Sequence, residues 1–262
     1  MDEPQHVDLR PQEIALFLDV DGTLLDLAPR PDAVEVPLSL VEALAMAERR
    51  LGGAIALVSG RPIGELDRLF APLRLRAGGV HGAEIRDSPD GPVRLLTQRR
   101  LPERAWSELV RLLDAFPGTL AENKGVSFAV HYRGAGPVAA ELASSLCRFM
   151  ERFAEVGLEL VAGLDVFEVR LGGFDKGRAI GSFMARRPFT GRYPVFIADD
   201  EMDRAGFEAA IALGGLAFSV GTVLPGLSGC FAQPAAVRAW LGRLGQSARF
   251  PLPAQRRACA CR

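Results

Sequence analysis

Ile14-Ala15-Leu16-Phe17-Leu18-Asp19-Val20-Asp21-Gly22-Thr23-Leu24 is the stretch that decides how this chain folds. Its first five residues form an unbroken apolar run, short enough for a strand buried on both faces of a parallel sheet. The run stops at Asp19, and a second carboxylate follows two residues later. In an open α/β sheet, ligands bind where strands reach their carboxyl ends. Gly22 permits a tight turn there, and the backbone N–H groups after it can face an anion. On its own, Asp-x-Asp reads better as an ordinary loop, so the rest of the chain has to decide.

Outward from this stretch, Pro37–Leu51 puts Leu40, Val41, Leu44 and Leu51 on one helical face. Ala54–Val58 is another short apolar run, ending at Ser59-Gly60. Strand, helix and strand in that cadence predict a right-handed βαβ unit. The rhythm returns late, with helices at Lys176–Arg187 and Met202–Leu213, strands at Val195–Ala198 and Leu216–Val220, and a closing helix at Pro234–Leu244. In between, Val126, Phe128 and Val130 alternate with Ser127, Ala129 and His131, the period of a half-exposed strand. Leu158–Val161 and Val166–Arg170 read as further strands, Glu103–Phe116 and Pro137–Phe153 as helices. The expected plan is an α/β core from residues 1–85 and 171–245, an α+β domain inserted at 86–170, and a disordered tail over 246–262. Two chain crossings, near Arg86 and Arg170, predict a hinge that closes over substrate.

Composition narrows the function. The 31 basic and 32 acidic side chains are balanced and form no long runs, which argues against a nucleic-acid or membrane surface. No apolar stretch approaches the roughly 20 residues that span a bilayer. The polar start Met1-Asp2-Glu3-Pro4-Gln5 is unlike a basic-then-apolar secretory segment. Cys147, Cys230, Cys259 and Cys261 follow no zinc or disulfide spacing, so they read as free thiols in a reducing cytoplasm.

Three further pieces follow the opening stretch in order. Ser59 ends the second strand in Val58-Ser59-Gly60-Arg61. Lys176 opens a helix in Asp175-Lys176-Gly177, and Asp199-Asp200 with Asp203 follows a late strand. Asp-x-Asp-Gly-Thr-Leu after an apolar strand resembles the opening motif of the haloacid dehalogenase-like (HAD) phosphatases, and the other pieces come in that superfamily's order. The resemblance implies a Rossmann-like parallel-sheet HAD core with an inserted α+β cap domain. Asp19, Asp21 and the Asp199 cluster would then crowd one end of a sheet. At an effective dielectric near 20, two such charges about 4 Å apart repel by about 4 kcal/mol. A hard cation relieves this, and carboxylates, water and phosphate suit Mg²⁺, while the lack of His or Cys in the motifs disfavours zinc. By resemblance, Asp19 attacks phosphorus and Asp21 serves as acid and then base. Ser59 and Lys176 hold the phosphoryl oxygens. The metal falls to the Asp19 side chain, the Asp21 backbone carbonyl, Asp199 and Asp200, with Asp203 supporting; which of the late aspartates touches metal is left open.

The resemblance narrows to the trehalose-6-phosphate phosphatases over about Ile14–Val220. It is carried by Val80-His81-Gly82-Ala83-Glu84, Glu122-Asn123-Lys124-Gly125, Ala129-Val130-His131-Tyr132-Arg133 and Phe167-Glu168-Val169-Arg170. That family's cap glutamates and lysine, which bond sugar hydroxyls, correspond to Glu122, Lys124 and Glu168, with Arg133 as a further contact or support. By themselves, Glu122 and Lys124 read as an exposed ion pair, and His81 as a structural histidine at the domain junction. The family's acidic motif runs Gly-Asp-Asp and then Thr-Asp-Glu. Here Met202 and Arg204 stand at the Thr and Glu positions, which removes polar support and reverses a charge. The implied reaction is hydrolysis of trehalose 6-phosphate. A sucrose-phosphate phosphatase or a phosphohexomutase shares the core pattern. A non-catalytic sensor fits less well, because binding alone needs no second aspartate to carry protons.

Overall fold

The computed structural model describes residues 9–28, 33–199, 201–247 and 249–251. Asp200, Cys259 and Cys261 lie outside the described residues. Eight strands form the larger sheet, in the order β12 (Gly229–Phe231), β11 (Leu216–Val220), β10 (Tyr193–Ala198), β1 (Ile14–Leu18), β2 (Ile55–Val58), β3 (Arg76–Gly79), β4 (Glu84–Arg86) and β5 (Arg94–Leu95). All neighbours from β12 to β3 run parallel; β4 and β5 are antiparallel additions at one edge. The large sheet therefore extends past the boundary expected at 85/86. A two-residue strand such as Arg94–Leu95 leaves no periodic trace in a sequence.

β1 lies at the centre, and all five of its residues are buried. Its alternating side chains feed two layers. Leu16 and Leu18 pack with Leu44 of α1 (Leu38–Arg50) and with Trp240 and Leu241 of α7 (Pro234–Gln246). Ala15 and Phe17 face Phe183 of α5 (Lys176–Met184) and Phe207 of α6 (Arg204–Ala212). Burial on both faces is why the run reads as continuous apolar sequence rather than as an alternation. The expected disordered tail needs correction at its start, while residues 252–262 lie outside the described residues. Phe250, within it, is buried against Trp240, and its N–H donates to the Leu9 carbonyl at 2.8 Å.

Four antiparallel strands form the second sheet, in the order β6 (Leu120–Asn123), β7 (Ser127–His131), β9 (Val166–Leu171), β8 (Leu158–Gly163). Its outer face carries α3 (Glu103–Leu113) and α4 (Ala139–Glu151), whose Leu109, Leu142 and Leu146 enclose Phe128 and Val130. The expectation of a half-exposed β7 fails, because Ser127 and Ala129 are buried too. Their face turns toward the large sheet and roofs a cleft there. Among the described residues, no helix is long and apolar enough to cross a membrane.

Phe17 stacks on Phe189 with ring centroids 5.3 Å apart and meets Phe183 at 6.1 Å. Phe17→Ala should therefore cost about 3–5 kcal/mol of stability, read from the urea midpoint, because the central layer cannot collapse onto the void.

Candidate active site

The carboxyl ends of β1, β2 and β10 deliver the motif residues side by side. The parallel register sets Leu18 beside Ile197, and the Asp19 N–H donates to the Ile197 carbonyl at 2.9 Å, so Asp19 and Asp199 leave neighbouring strands at one level. Asp19 is buried, and its Oδ1 accepts from Lys176 Nζ at 2.6 Å. Lys176 Nζ also pairs closely with Asp203 Oδ1. Thr23 Oγ1 lies 3.3 Å from Asp19 Oδ2 and 3.5 Å from Asp199 Oδ1. Burial alone would lower the Lys176 pKa, but the Asp19 and Asp203 carboxylates outweigh it and hold the amine above its ordinary value, fully charged.

Each piece of Asp175-Lys176-Gly177 has a structural task. Asp175 caps α5, accepting the Arg178 N–H at 2.7 Å. A side chain at Gly177 would strike the Ala205 carbonyl at 2.3 Å, so glycine lets α5 approach α6 and the Asp203 that precedes it. Gly22 is bound more tightly still. Its φ is +73°, and a Cβ there would lie 1.9 Å from Asp199 Oδ2. The space a side chain would fill holds a carboxylate instead.

A cation fits this group. Asp19, Asp199 and Asp203 each offer an oxygen, all within 4.8 Å of one another. An all-oxygen, multiply anionic set suits a hard divalent ion. The carboxylate of Asp21 is not part of the group. It takes a two-pronged bond from Arg61, Nε to Oδ2 and Nη2 to Oδ1, both 2.7 Å. Arg61 escaped the sequence reading, although Ser59-Gly60-Arg61 was on view. Ser59 is buried at the end of β2, and its Oγ accepts the Arg61 N–H at 3.1 Å, which leaves its own O–H to donate.

The roof of the cleft comes from the second sheet. Cross-strand register puts Glu122, Ala129 and Glu168 in one row over β6, β7 and β9, with only a methyl group between the two carboxylates. Lys124 Nζ lies 3.8 Å from Glu122 and 3.8 Å from Glu168, and donates to the Gly60 carbonyl at 3.0 Å. Glu168 is only 2% exposed. Its Oε1 accepts from Ser127 Oγ at 2.6 Å, and its Oε2 meets His81 Nε2. Burial would raise the Glu168 carboxyl, but His81, the Lys124 ammonium and the Ser127 hydroxyl prevail and hold it well below the carboxylate range. Arg133 is a strap rather than a free contact. It donates to Asp165 Oδ2 at 3.0 Å and to the Ala28 carbonyl of the core at 2.7 Å. His131, unassigned from sequence, lies 3.7 Å from Glu122 and lines the same cleft. Asp19, Asp21, Ser59, Lys176, Glu122, Lys124, Arg133 and Glu168 all border one cavity of about 180 Å³.

A parallel sheet wound by helices on both faces, with this donor set at its carboxyl edge and a second sheet above it, is the architecture of a HAD-fold hydrolase. The C-terminal domain of C. albicans trehalose-6-phosphate phosphatase has the same fold, with a TM-score of 0.80 at 19% identity over 90% of this chain and 92% of that one. A structure described as a trehalose-6-phosphate phosphatase related protein gives 0.74 at 25% identity, over 89% and 97%. In sequence, the chain is 42% identical to a probable trehalose-phosphate phosphatase of Sinorhizobium fredii, over 80% of this chain and 79% of that one. It is 38% identical to the trehalose-6-phosphate phosphatase of Escherichia coli, over 79% and 77%. The profile of the family described as trehalose-phosphatase matches residues 17–223, and the chain belongs to that family. It is an enzyme, a phosphatase.

Two measurements test the site. Mg²⁺ at about a hundred times its Kd should stabilise the protein by about 3 kcal/mol, seen as a higher Tm. Gly22→Ala should remove most of that rise by displacing Asp199; an unchanged rise would separate Asp199 from the metal. The second test uses acid. A carboxyl whose folded pKa is depressed stabilises the fold above its usual value, near 4.5, and loses that contribution as the pH falls through the folded value. The stability gap between wild type and Glu168→Gln should therefore narrow from about pH 6 to about pH 3 in chemical denaturation.

Proposed function

We propose that the protein hydrolyses trehalose 6-phosphate to trehalose and phosphate, with Mg²⁺ and through a phosphorylated Asp19. The observation that carries this reading is the single cleft. Its floor bears Asp19, Lys176 and the aspartate group, and its roof bears Glu122, Lys124, His131 and Glu168. A phosphate ester of a polyhydroxylated sugar has one end for each surface. Paired carboxylates and ammonium groups can accept from and donate to hydroxyls, and a site built that way rejects analogues lacking them.

In the first half-reaction a carboxylate oxygen of Asp19 attacks phosphorus and the bond to the sugar oxygen breaks. Asp21 supplies the proton the departing alkoxide needs. In the second, Asp21 takes a proton from water as the water oxygen attacks the phosphoryl group. The bond to Asp19 then breaks, releasing inorganic phosphate and the free carboxylate. Lys176 and the Ser59 hydroxyl stabilise the phosphoryl oxygens throughout. Asp19, Asp199 and Asp203, with the Asp21 carbonyl, would hold Mg²⁺, which supplies positive charge against the phosphoryl oxygens when bound. Arg61 grips both oxygens of Asp21, so its role in this scheme is to orient the acid–base carboxylate.

The cavity of about 180 Å³ is smaller than the roughly 300–1,000 Å³ of most ligand sites. In this reading the second sheet with α3 and α4 acts as a cap that swings away to admit a disaccharide and closes over it. The free thiols of Cys147 and Cys230 accord with a cytoplasmic setting.

Phosphate release across a panel of sugar phosphates, with Mg²⁺ and with EDTA, tests the reading. Release should be fastest from trehalose 6-phosphate and vanish in EDTA. Asp19→Asn should lower kcat by about 10³-fold or more, and beryllium trifluoride should mark Asp19 in the wild type. Isomerised sugar phosphate with little free phosphate would indicate a mutase instead.

A further inference from the structure

We propose that His81 is a positioning residue for substrate selection: it fixes the Glu168 carboxylate and so couples the cap to the loop that carries Ser59. The inference rests on the sugar-phosphate reading above and adds to it a buried residue that lines the same cavity.

Val80 and His81 are consecutive non-glycine residues at φ +46° and +52°. The left-handed region is costly for any residue with a side chain and most costly for a β-branched one such as valine. Two adjacent strained residues persist only where their surroundings dictate them. Here the Val80 N–H donates to the Arg61 carbonyl and the His81 N–H to the Ser59 carbonyl, both at 3.0 Å. Gly60 lies under the ring; a Cβ there would come within 2.5 Å of His81 Nε2. The strained turn and the missing side chain together carry the imidazole across the phosphate-side loop to a carboxylate on the opposite sheet.

What the ring does there follows from donor and acceptor chemistry. Ionised Glu168 can only accept, so His81 Nε2 carries the hydrogen and donates to Oε2. With Ser127 on Oε1 and His81 on Oε2, the carboxylate cannot rotate. Its remaining lone pairs stay fixed toward the cleft that it lines. Lys124 reinforces the link, since it bonds the Gly60 carbonyl while lying beside Glu168. A hydroxyl bound at the roof is thereby connected, through Glu168 and His81, to the backbone of Ser59 on the floor.

If His81 merely filled space, its loss would slow every ester alike. The test compares trehalose 6-phosphate with p-nitrophenyl phosphate, whose leaving group has no sugar hydroxyls, for wild type, His81→Asn, His81→Gln and Glu168→Gln with Mg²⁺. Asparagine tolerates the left-handed backbone but is too short to reach Glu168, whereas the glutamine amide can stand in for Nε2–H. His81→Asn should lower kcat/KM for trehalose 6-phosphate about tenfold or more, against less than about threefold for p-nitrophenyl phosphate. His81→Gln should recover part of that loss, and His81→Asn should add little in a Glu168→Gln background. Equal losses on both esters, no loss, or losses that add to Glu168→Gln would overturn the inference. Should His81→Asn not fold, His81→Gln is read against Glu168→Gln in the same way, and additive losses overturn it. A wild-type protein inactive on trehalose 6-phosphate would instead sink the proposed substrate.

Discussion

The Lys176 ammonium stands between two buried carboxylates, Asp19 and Asp203, and much of the site depends on that contact. Three aspartates with oxygens inside 4.8 Å would repel one another by several kcal/mol even at a generous effective dielectric. One lysine relieves part of this. Three carboxylates against one ammonium leave two negative charges, which one divalent cation would neutralise. The lysine reaches this position because Asp175 fixes the first turn of α5 and Gly177 lets that helix sit against α6. Helix packing and electrostatics are here one constraint.

The sheet order supplies the rest of the geometry. β1 has β10 on one side and β2 on the other, so chain segments more than 100 residues apart end at the same edge. Apolar burial on both faces of β1 keeps that edge rigid, since neither layer can shift without opening a void. Asp19, Ser59 and Asp199 thus owe their proximity to leucines and phenylalanines that touch no substrate.

How much of this could be read from sequence depended on whether the signal was local. The five-residue run before Asp19 announces a buried strand, and the resemblance, through the order of Ser59, Lys176 and Asp199, implies which strand and helix ends meet. β5 could not be read, because its two residues gain their conformation only by pairing with β4. β7 was misjudged for a related reason: Ser127 and Ala129 alternate as on an exposed face, yet that face is covered by the other sheet. Arg133, Arg61 and His81 take their meaning from the Ala28 carbonyl, Asp21 and Glu168, and such pairings leave no periodic trace. Phe250 reads as tail in the sequence because its packing partner, Trp240, becomes its neighbour only once α7 is folded.

The links across the cleft differ in kind from those inside each layer. Lys124 to the Gly60 carbonyl, Arg133 to the Ala28 carbonyl and His81 to Glu168 are polar. The apolar cluster under α3 and α4 includes Val80 and Ala83, beside the strained turn, whereas the clusters flanking β1 draw on the large sheet and its helices. Water can replace a hydrogen bond to a carbonyl at small net cost, but it cannot replace apolar contact. Under the proposed reaction, the opening of a cap held over the cleft by such polar links would leave both cores intact. The turn that directs His81 at Glu168 joins β3 to β4 within the large sheet, so it belongs to the floor while it sets where the roof carboxylate points.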